Sequence, residues 1–334
     1  MVPFVSVIIP VYNEERFIEP FLTSIYQQDF DKKRLEIIVV DGHSSDRTVE
    51  IIREKFSEVQ IIDNPRKIVP ISMNMGIRAA KGEYIIRLDA HCIYPKDYFS
   101  RLIHYITSLP NADNVGGVCR TLPANDSSEA IAIAIALSSK FGMGNSEFRV
   151  GADKIIEVDT VPFGCYRREV FDKIGYYDEE LIRNQDNELN SRLKLNGGKI
   201  YLIPDLVIDY FARDSVKKCG KMFYQYGLFN PLVDKKLGNV TTLRRLTPLG
   251  FVLYLTVFVI LSCITPAFTL YYAVPLLLYL FLDLLFSLQH IRRPEVSLWL
   301  LIIYPMIHVS YGIGYLDGIS RLVFKRSFSV QVNR

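Results

Sequence analysis

The chain has 334 residues, 49% of them hydrophobic, which is enough for one large domain or two smaller ones. Its formal net charge is only +3, and no basic stripe is interleaved with aromatic residues, so nucleic-acid binding is not expected. The five cysteines include no C-x-x-C pair, which argues against a zinc knuckle and against a disulfide framework. No export signal is recognisable in the first residues, and we therefore expect reduced, mostly buried cysteines in a cytosolic catalytic part.

The N-terminal part of the chain repeats a pattern of strand, polar turn and helix. Short apolar runs rich in β-branched residues predict strands at 5–10, 35–40, 59–62 and 84–88. Apolar residues at helical spacing predict helices at 17–27, at 44–56 including a polar cap, and at 71–80. This alternation predicts a parallel sheet with right-handed crossovers, whose ligands bind at the carboxyl ends of the strands.

Three polar clusters follow these strands, at 12–14, 41–44 and 89–91. Because the carboxyl ends of parallel strands lie at one edge of a sheet, the three clusters should meet there. No G-x-G-x-x-G or Walker loop is present, so a dinucleotide site or an ATP phosphate cradle is not expected.

Asp89 and His91 flank a small residue at the end of the fourth predicted strand. Since side chains alternate along an extended backbone, both should project to the same side while Ala90 turns away. A carboxylate and an imidazole placed in this way can hold a divalent cation such as Mn²⁺ or Mg²⁺. The alternative is a capped strand end that binds no metal.

Two segments in the middle of the chain stand out by composition. The run of Ala and Ile at 130–137 predicts a buried helix, and 142–146 predicts a mobile loop. Further on, 215–229 carries apolar residues on one helical stripe and lysines off it. This pattern suits either a helix in the lipid headgroup layer, its lysines meeting anionic lipid or a lipid diphosphate, or an ordinary packing helix.

Three C-terminal segments, at 249–265, 267–288 and 296–316, are almost wholly apolar. Each approaches the roughly 20 residues that cross a bilayer, and three buried core helices are the alternative. Asp283 and His308 lie within them and should face other protein rather than lipid. We therefore divide the chain into a cytosolic domain at 1–214, an amphipathic interface segment at 215–246 and a transmembrane region with a basic tail at 247–334.

Basic residues beside these segments predict their orientation. The arginines at 244–245 and 292–293 favour the cytoplasmic side for both positions. The basic tail after the third segment favours the same side, which three full crossings do not allow. Either the last segment is re-entrant, helped by Gly312 and Gly314, or the tail departs from the rule.

Three N-terminal stretches are informative together: VSVIIPVYNE at 5–14, IIVVDGHSSD at 37–46 and RLDAH at 87–91. They resemble the inverting family 2 glycosyltransferases, which bind a nucleotide sugar on an α/β domain. Two later stretches, VDTVPFGCYRREVF at 158–171 and NQDNELNSRL at 184–193, are most similar to the ExoA-like enzymes of succinoglycan-type polysaccharide synthesis. The resemblance covers about residues 4–230. It implies a doubly wound, Rossmann-like domain of the glycosyltransferase A type, followed here by transmembrane helices.

The resemblance implies that the ends of the first two strands hold the nucleoside of the donor, most simply a UDP-sugar. Pro10, Tyr12, Glu14 and Asp41 would grip uracil and ribose, and Asn74 on the third helix is a further candidate. Three of these residues have a structural alternative: a turn carboxylate for Asp41, packing for Tyr12 and helix-surface polarity for Asn74.

The resemblance also implies that Asp89 binds the donor and the metal ion that bridges its two phosphates, Mn²⁺ or Mg²⁺. His91 stands where the family more often has a carboxylate. It is therefore either a metal ligand or a hydrogen-bond donor to one.

Asp186 matches the family's general base, which takes the proton of the acceptor hydroxyl during attack on the anomeric carbon opposite the diphosphate. Gln185 departs from the Glu that usually precedes this residue. Gln185, Phe163 and Gly164 are expected beside the acceptor, the last two in a tight bend. Glu188 would point elsewhere on the helix and ranks second as a base, and the alternative for Asp186 is a helix N-cap.

These features predict a membrane-bound hexosyltransferase that moves a sugar from a nucleotide sugar to a hydroxyl of a lipid-linked saccharide. Its multi-pass anchor would lie in the plasma membrane, with the active site facing the cytoplasm. The Q-x-x-R-W motif of processive synthases is absent, since the single tryptophan is Trp299, so one sugar per encounter is expected. The alternatives are a polyprenyl-phosphate glycosyltransferase, which needs no base for a sugar hydroxyl, and a catalytically silent nucleotide-sugar-binding scaffold.

Overall fold

The computed structural model describes residues 4–239 and 243–328, and the contacts between residues divide the chain into two compact units. The first unit consists of the described residues up to Arg120 together with Gly151–Tyr210. The second consists of Thr121–Val150 and the described residues from Phe211 onward. Residues 121–150 therefore group with the C-terminal helices, whereas the predicted division at 214 assigns them to the N-terminal domain.

The described residues form nine strands of one sheet. These are β1 (Val5–Val11), β2 (Leu35–Asp41), β3 (Gln60–Asp63), β4 (Tyr84–Arg87), β5 (Cys92–Ile93), β6 (Ala112–Leu122), β7 (Ile156–Glu157), β8 (Cys165–Arg167) and β9 (Lys199–Phe211).

The strands lie in the order β3-β2-β1-β4-β8-β6-β9-β5, with β7 paired to β9. β1 pairs in parallel with both β2 and β4, and β2 pairs in parallel with β3, which confirms the predicted parallel arrangement for these four strands. β8 runs antiparallel to β4 and to β6. This antiparallel half was not predicted, because the alternation of one strand with one helix, which parallel crossovers require, stops after β4.

The order of the first four strands determines where a ligand can bind. The chain runs from β1 to β2 and β3 on one side of β1, and then returns to place β4 on the other side. Such a reversal opens a crevice at the carboxyl ends of the two central strands. We call the loops that follow β1, β2, β3 and β4 the carboxyl edge.

The α-helices of the described residues belong to both units. They are α1 (Ile18–Tyr26), α2 (Thr48–Lys55), α3 (Val69–Ala79), α4 (Tyr98–Ser108), α5 (Ser128–Ser138), α6 (Lys140–Met143), α7 (Glu147–Val150), α8 (Glu169–Ile174), α9 (Gln185–Leu195), α10 (Val216–Leu237), α11 (Thr247–Ile264), α12 (Thr269–Tyr272), α13 (Val274–Leu288) and α14 (Pro294–Val323). Short 3-10 turns lie at Lys32–Arg34, Leu243–Leu246 and Pro266–Phe268.

The core of the first unit forms around β1, all seven residues of which are buried. A continuous apolar run of this kind is typical of a central parallel strand covered on both faces. α1 contributes Ile18, Phe21 and Leu22 to the same cluster, and each such side chain stabilises the fold by roughly 1.5–3 kcal/mol. Phe17, which the predicted helical stripe includes, instead lies at the N-cap of α1 and is exposed.

The cysteines are all free, as the absence of paired spacing predicts. Cys92, Cys119, Cys165 and Cys219 are buried, and Cys263 is exposed.

The second unit has its own apolar core, formed chiefly by α5, α10 and α14. The Ala/Ile run at 130–137 lies in α5, which confirms the predicted buried helix. The predicted mobile loop at 142–146 is wrong in part, because its first residues belong to α6 and Gly142 is buried. A Cβ atom on Gly142 would overlap the carbonyl group of Ala136, so this position is packed rather than open.

α10 contains the amphipathic segment 215–229 and is longer than predicted. Its residues Cys219, Met222 and Phe223 are buried in the core of the second unit, while Lys217 and Lys221 are exposed. The apolar stripe thus packs against protein, and a contact of the lysines with lipid stays a prediction.

Glycines let the backbones of α10 and α14 approach each other closely. A Cβ atom on Gly227 of α10 would overlap the carbonyl oxygen of Tyr311, and one on Gly314 of α14 would overlap that of Tyr224. Small residues at a helix contact allow this approach, and the same device is common between helices in membranes. A Cβ atom on Gly312 would likewise overlap the carbonyl oxygen of Pro248 in α11, so both glycines of α14 that were expected to help a re-entrant segment lie at close helix contacts.

Two helical stretches of the described residues are long and apolar enough to cross a membrane, Leu243–Ile264 and Pro294–Val323. A third crossing is possible if Pro266–Tyr272 and Val274–Leu288, which meet at a bend of 40°, form one span. The break in the apolar region thus falls in the second predicted segment, and the third is continuous within α14. α14 therefore lacks the bend that a re-entrant segment would need, and the number of crossings stays a prediction.

The polar residues within these helices contact protein, as expected. Asp283 is only 1% exposed and accepts a hydrogen bond from Ser287. The ring of His308 is hydrogen-bonded to the hydroxyl group of Tyr279 and to the carbonyl group of Phe141.

Replacing Gly314 by Ala should destabilise the second unit, although alanine is the better helix former, because the added methyl group forces α10 and α14 apart. The expected loss is about 1–3 kcal/mol of unfolding free energy. The measurement is the Tm of the detergent-solubilised protein.

The control is Gly250→Ala in α11, where a Cβ atom would meet nothing within 4 Å. This variant should keep or slightly raise the Tm, since alanine favours the helix by up to about 1 kcal/mol. Equal Tm changes in both variants would contradict the close contact of α10 with α14.

Candidate active site

The loops that follow β1 and β2 are joined by hydrogen bonds. The backbone N–H of Asn13 donates to Ser44 Oγ over 2.9 Å. The side-chain oxygen of Asn13 accepts from the backbone N–H of Ser45 over 2.8 Å. The N–H of Glu14 donates to Thr48 Oγ1 over 2.7 Å. These bonds hold two of the three polar clusters together at the carboxyl edge, as the topology predicts.

Four residues predicted to hold the nucleoside lie on or beside these loops. Pro10, Glu14 and Asp41 are buried, and Tyr12 is partly exposed, with Lys67 Nζ 5.3 Å from the centre of its ring. The carboxylate of Asp41 accepts from the N–H and the hydroxyl group of Ser44, over 3.0 and 2.5 Å. Asp41 thus closes a turn, and its contact with ribose stays a prediction.

Asn74 has a structural role that the sequence did not indicate. Its side-chain amide donates to the carbonyl group of Tyr177 and accepts from the N–H of Tyr177, both over 2.9 Å, and it also donates to Glu179 over 3.1 Å. These bonds engage both ends of the amide, so the residue anchors the segment around Tyr177. A contact of Asn74 with the nucleotide stays a prediction.

Several non-glycine residues near this edge adopt a left-handed backbone. They are Asn13 (φ 55°), His43 (φ 61°), Lys67 (φ 58°), Phe163 (φ 48°) and Asn184 (φ 62°). Such conformations cost roughly 1–3 kcal/mol each and concentrate at functional sites. They lie after β1, β2 and β3, before β8 and before α9, where the sequence places its ligand-binding residues.

The chain turns directly after Asp89, so the extended backbone expected through His91 is wrong. β4 ends at Arg87, and the N–H of Cys92 donates to the carbonyl group of Asp89 over 3.2 Å, which closes a turn through Ala90 and His91. Alternation of side chains along a strand therefore does not relate Asp89 to His91.

His91 instead faces the end of β1 and the start of α1. Its Nδ1 atom lies 3.2 Å from a carboxylate oxygen of Glu14, and its ring lies 5.4 Å from that of Phe17. The resemblance implies a nucleoside role for Glu14, which stays a prediction, and the structure places Glu14 beside the predicted metal-binding turn.

A divalent metal fits this turn only if the donor supplies most of its ligands. In the residues that the structure describes, no three His, Cys, Asp or Glu side chains are grouped as a metal site would need. Mg²⁺ and similar ions commonly bind through one or two carboxylates together with substrate phosphates and water. Asp89, with or without His91, matches that pattern, and metal ligation by these residues stays a prediction.

Asp186 lies in the first turn of α9 and forms an ion pair with Arg87 of β4. The helix N-terminus favours a carboxylate at this position. The guanidinium of Arg87 is nearly buried, whereas the carboxylate of Asp186 is 39% exposed. Asp186 is therefore held on one side by a cation and remains accessible on the other.

Arg87 connects the two predicted functional aspartates. Burial works against its charge, but Asp186, Tyr177 and Asp89 more than offset this, so the pKa of Arg87 is raised above its usual range. The carboxylates of Asp89 and Asp186 thus act on one guanidinium. Sequence reasoning missed Arg87, although a lone charge in the apolar strand YIIRL signals a buried partner.

The alternatives to Asp186 as the base find no support in the geometry. The N-cap of α9 is Asn184, so Asp186 does not cap the helix. Glu188 is buried, and its two carboxylate oxygens accept from Arg192 over 2.7 and 2.8 Å. Gln185 directly precedes Asp186 in the sequence. It is the first residue of α9, and its side chain is buried.

Phe163 and Gly164 form the tight bend that the sequence predicts. The carbonyl group of Phe163 accepts from the hydroxyl group of Tyr98 over 2.8 Å, and that of Gly164 accepts from the N–H of Arg87 over 3.3 Å. A Cβ atom on Gly164 would overlap the side chain of Asn114, so glycine is needed for this internal contact. The contact of either residue with an acceptor stays a prediction.

Known proteins resemble this chain over most of its length. It is 29% identical over 303 residues to the dolichyl N-acetyl-alpha-D-glucosaminyl phosphate 3-beta-D-2,3-diacetamido-2,3-dideoxy-beta-D-glucuronosyltransferase of Methanococcus voltae, covering 83% of this chain and 93% of that protein. It is 29% identical over 249 residues to the succinoglycan biosynthesis protein ExoA of Rhizobium meliloti (strain 1021), covering 73% of this chain and 74% of that protein.

The fold also resembles a solved structure, the mannosyltransferase PcManGT from Pyrobaculum calidifontis in complex with GDP-Man and Mn²⁺. The TM-score is 0.58 at 17% identity, over 97% of this chain and 88% of that one. An identity this low shows the fold alone. The predicted fold class, a Rossmann-like domain of the glycosyltransferase A type followed by apolar helices, is confirmed.

Residues 6–175 match the sequence family described as glycosyl transferase family 2. This match covers half of the 334 residues and includes all three polar clusters at the carboxyl edge. The chain therefore belongs to glycosyl transferase family 2.

Proposed function

We propose that this glycosyltransferase moves a sugar from a nucleotide sugar, UDP-linked in our reading, to a hydroxyl group of a lipid-linked saccharide, with inversion at the anomeric carbon. The observation that carries the proposal is the position of Asp186. Its partly exposed carboxylate is paired with Arg87, which also lies under the electrostatic influence of Asp89. This arrangement supports a base for the acceptor and a residue for the diphosphate that act in the same part of the first unit.

The donor would bind at the carboxyl edge. The partly exposed ring of Tyr12 offers a surface for the base, and Pro10, Glu14 and Asp41 shape the loops around it. Asp89 would hold the divalent metal at the diphosphate, with His91 as a second ligand or as a hydrogen-bond donor. Bound there, Mn²⁺ or Mg²⁺ supplies positive charge that stabilises the departing diphosphate.

Transfer then requires a proton acceptor on the opposite side of the sugar. The acceptor hydroxyl would give its proton to the carboxylate of Asp186 while its oxygen forms a bond to the anomeric carbon. The bond from that carbon to the diphosphate breaks in the same step, and the diphosphate leaves with the electron pair. Attack from the face opposite the leaving group inverts the configuration.

The lipid-linked acceptor is supported by the relatives and by the apolar helices. The relative from Methanococcus voltae is named for a dolichyl-phosphate-linked sugar, and ExoA is named for succinoglycan biosynthesis. Two or three stretches of the described residues have the length and composition of membrane spans. We propose a multi-pass protein of the plasma membrane with its active site on the cytoplasmic side, because arginines at 244–245 and 292–293 flank the spans.

The missing processive motif supports transfer of one sugar per encounter as part of this proposal. The single tryptophan, Trp299, lies in α14 rather than in a Q-x-x-R-W motif. A scaffold protein that only binds the nucleotide sugar would need no accessible carboxylate at Asp186. The exposure of this carboxylate therefore favours an enzyme.

Asp186→Asn should lower the rate of sugar transfer by about 10²–10⁴-fold, because the amide cannot accept the proton of the acceptor hydroxyl. The purified membrane protein is incubated with a panel of nucleotide sugars, Mn²⁺ and extracted lipid-linked saccharides, and release of nucleoside diphosphate is followed. The control is Asp153→Asn at an exposed position, which should keep the full rate. If Asp186→Asn keeps the full transfer rate, Asp186 is not the base. That result would favour a polyprenyl-phosphate glycosyltransferase, which needs no base for a sugar hydroxyl.

Chelation of divalent cations with EDTA should abolish transfer, and Mn²⁺ or Mg²⁺ should restore it. Asp89→Asn should raise the Mn²⁺ concentration needed for half-maximal rate by about tenfold or more, since it removes a charged oxygen ligand. The measurement is a metal titration of the transfer rate at saturating donor. An unchanged titration curve would show that Asp89 does not bind the metal.

A further inference from the structure

α10 and α14 of the second unit lie side by side and run in the same direction. A Cβ atom on Gly220 of α10 would lie 2.9 Å from the sulfur atom of Met306, near the middle of α14. Further along both helices, a Cβ atom on Gly318 would overlap the carbonyl oxygen of Leu228. Residue numbers therefore rise together along the contact, and the first turns of α10 lie beside the middle of α14.

This register places lysines at the level where a membrane-spanning α14 would have the centre of the bilayer. Lys217 and Lys221 are exposed and lie within one helical turn of Gly220. Lys218 beside them forms an ion pair with Asp214 over 2.6 Å. Charged side chains at the centre of a bilayer are strongly unfavourable, and lysines reach the headgroups only from positions near helix ends. The lysines of α10 therefore oppose a full crossing by α14.

Polar contacts join the later turns of α10 to the second half of α14. The hydroxyl group of Tyr224 donates to Asp317 Oδ2 over 2.6 Å, and Arg321 Nε donates to the same oxygen over 3.0 Å. The hydroxyl group of Tyr315 donates to Asp234 Oδ2 over 2.7 Å. Three charged side chains thus lie along this contact, and such side chains are rare within a bilayer.

The helices that cover α14 lack the character of membrane spans. α5 has only 11 residues, fewer than the roughly 17–25 that cross a bilayer, and α10 is charged. Of the most apolar stretch of α14, 39% is buried by its neighbours, against 6% for α11. α14 is therefore a core helix of the second unit, whereas α11 leaves its apolar surface exposed.

The exposed apolar surface of the second unit lies mainly on α11 and α13. The hydroxyl group of Tyr254 in α11 donates to the carbonyl group of Tyr272 over 2.9 Å and accepts from the N–H of Leu276 over 3.0 Å. These bonds join α11 to the start of α13, and we call the two helices with the turn between them the apolar hairpin. Side chains that are 45–69% exposed on it include Val257, Ile260, Ile264, Leu277, Phe281 and Leu285.

The basic residues that flank these helices favour the same division. Arginines at 244–245 precede α11, arginines at 292–293 follow α13, and the basic residues at 321–326 lie at the end of α14. Two crossings by the apolar hairpin leave all three groups on one side, as the rule for basic residues requires. A third crossing by α14 would separate the last group from the other two.

We propose that the second unit crosses the membrane twice, once through α11 and once through 266–288, and that α14 stays on the cytoplasmic side against α10. The partner of the apolar hairpin is the hydrocarbon core of the bilayer, and the lysines of α10 lie outside that core. This inference rests on the proposed membrane anchor and defines its number of crossings.

The test is labelling of single cysteines in the full-length protein with a membrane-impermeant maleimide. The background is Cys263→Ser, since Cys263 is exposed and the other four cysteines are buried. Ile291→Cys and Ser327→Cys are a matched pair at exposed positions before and after α14, and Ala267→Cys lies in the turn after α11. In spheroplasts of a bacterial host, Ala267→Cys should be labelled, whereas the matched pair should be labelled only after permeabilisation.

The wild-type chain allows a second measurement that needs no substitution. Trypsin added to spheroplasts should leave the end of the chain intact, because the bonds after Lys325 and Arg326 face the cytoplasm. Trypsin added to inside-out vesicles should cleave there. Cleavage at these bonds in intact spheroplasts would overturn the inference.

The outcomes separate this inference from the proposed anchor. If Ser327→Cys is labelled in intact spheroplasts while Ile291→Cys is protected, α14 crosses the membrane, and the inference fails while the anchor stands. If Ala267→Cys is labelled only after permeabilisation, α11 does not cross, and the inference fails as well. Release of the wild-type protein from membranes by a high-pH wash would overturn the anchor together with the inference. None of these results bears on the role of Asp186.

Discussion

A charged side chain buried at the end of a strand needs an opposite charge beside it, and in this protein that need joins two distant parts of the chain. Arg87 ends β4, and its partner Asp186 lies in the first turn of α9. The guanidinium of Arg87 is nearly buried, and a buried charge is costly without a partner, so the fold favours a carboxylate beside it. The pair thereby fixes where α9 begins relative to the carboxyl edge.

The same position is where the two halves of the sheet meet. β4 is the last parallel strand, and β8 beside it is the first antiparallel one. The backbone N–H of Arg87 donates to the carbonyl group of Gly164, just before β8. Gly164 packs against the side chain of Asn114. The side-chain amide of Asn114 in turn donates to Asn190 of α9 over 3.1 Å. The strained backbone at Phe163 and at Asn184 lies on either side of this junction. The proposed base thus lies on a helix, and its ion-pair partner lies on a strand.

Local patterns were enough to predict the first strands and the class of fold. The runs at 5–10 and 35–40 match β1 (Val5–Val11) and β2 (Leu35–Asp41) to within one residue, because a buried parallel strand is recognisable from its apolar side chains alone. The turn at Ala90–His91, the pairing of Arg87 with Asp186 and the packing role of Gly314 could not be predicted in the same way. Each depends on a neighbour that is distant in sequence, and only the lone arginine in an apolar strand hinted at one.

The central claim is that Asp89 and Asp186 serve one reaction from opposite sides of a bound nucleotide sugar. The most direct measurement is an experimental structure of the full-length protein with Mn²⁺ and a non-hydrolysable nucleotide sugar. The account predicts Mn²⁺ bound between Asp89 and the diphosphate, with the carboxylate of Asp186 still paired to Arg87 and facing the anomeric carbon on the side opposite the diphosphate. A donor bound with Asp186 turned away from the sugar, or a metal bound without Asp89, would contradict it.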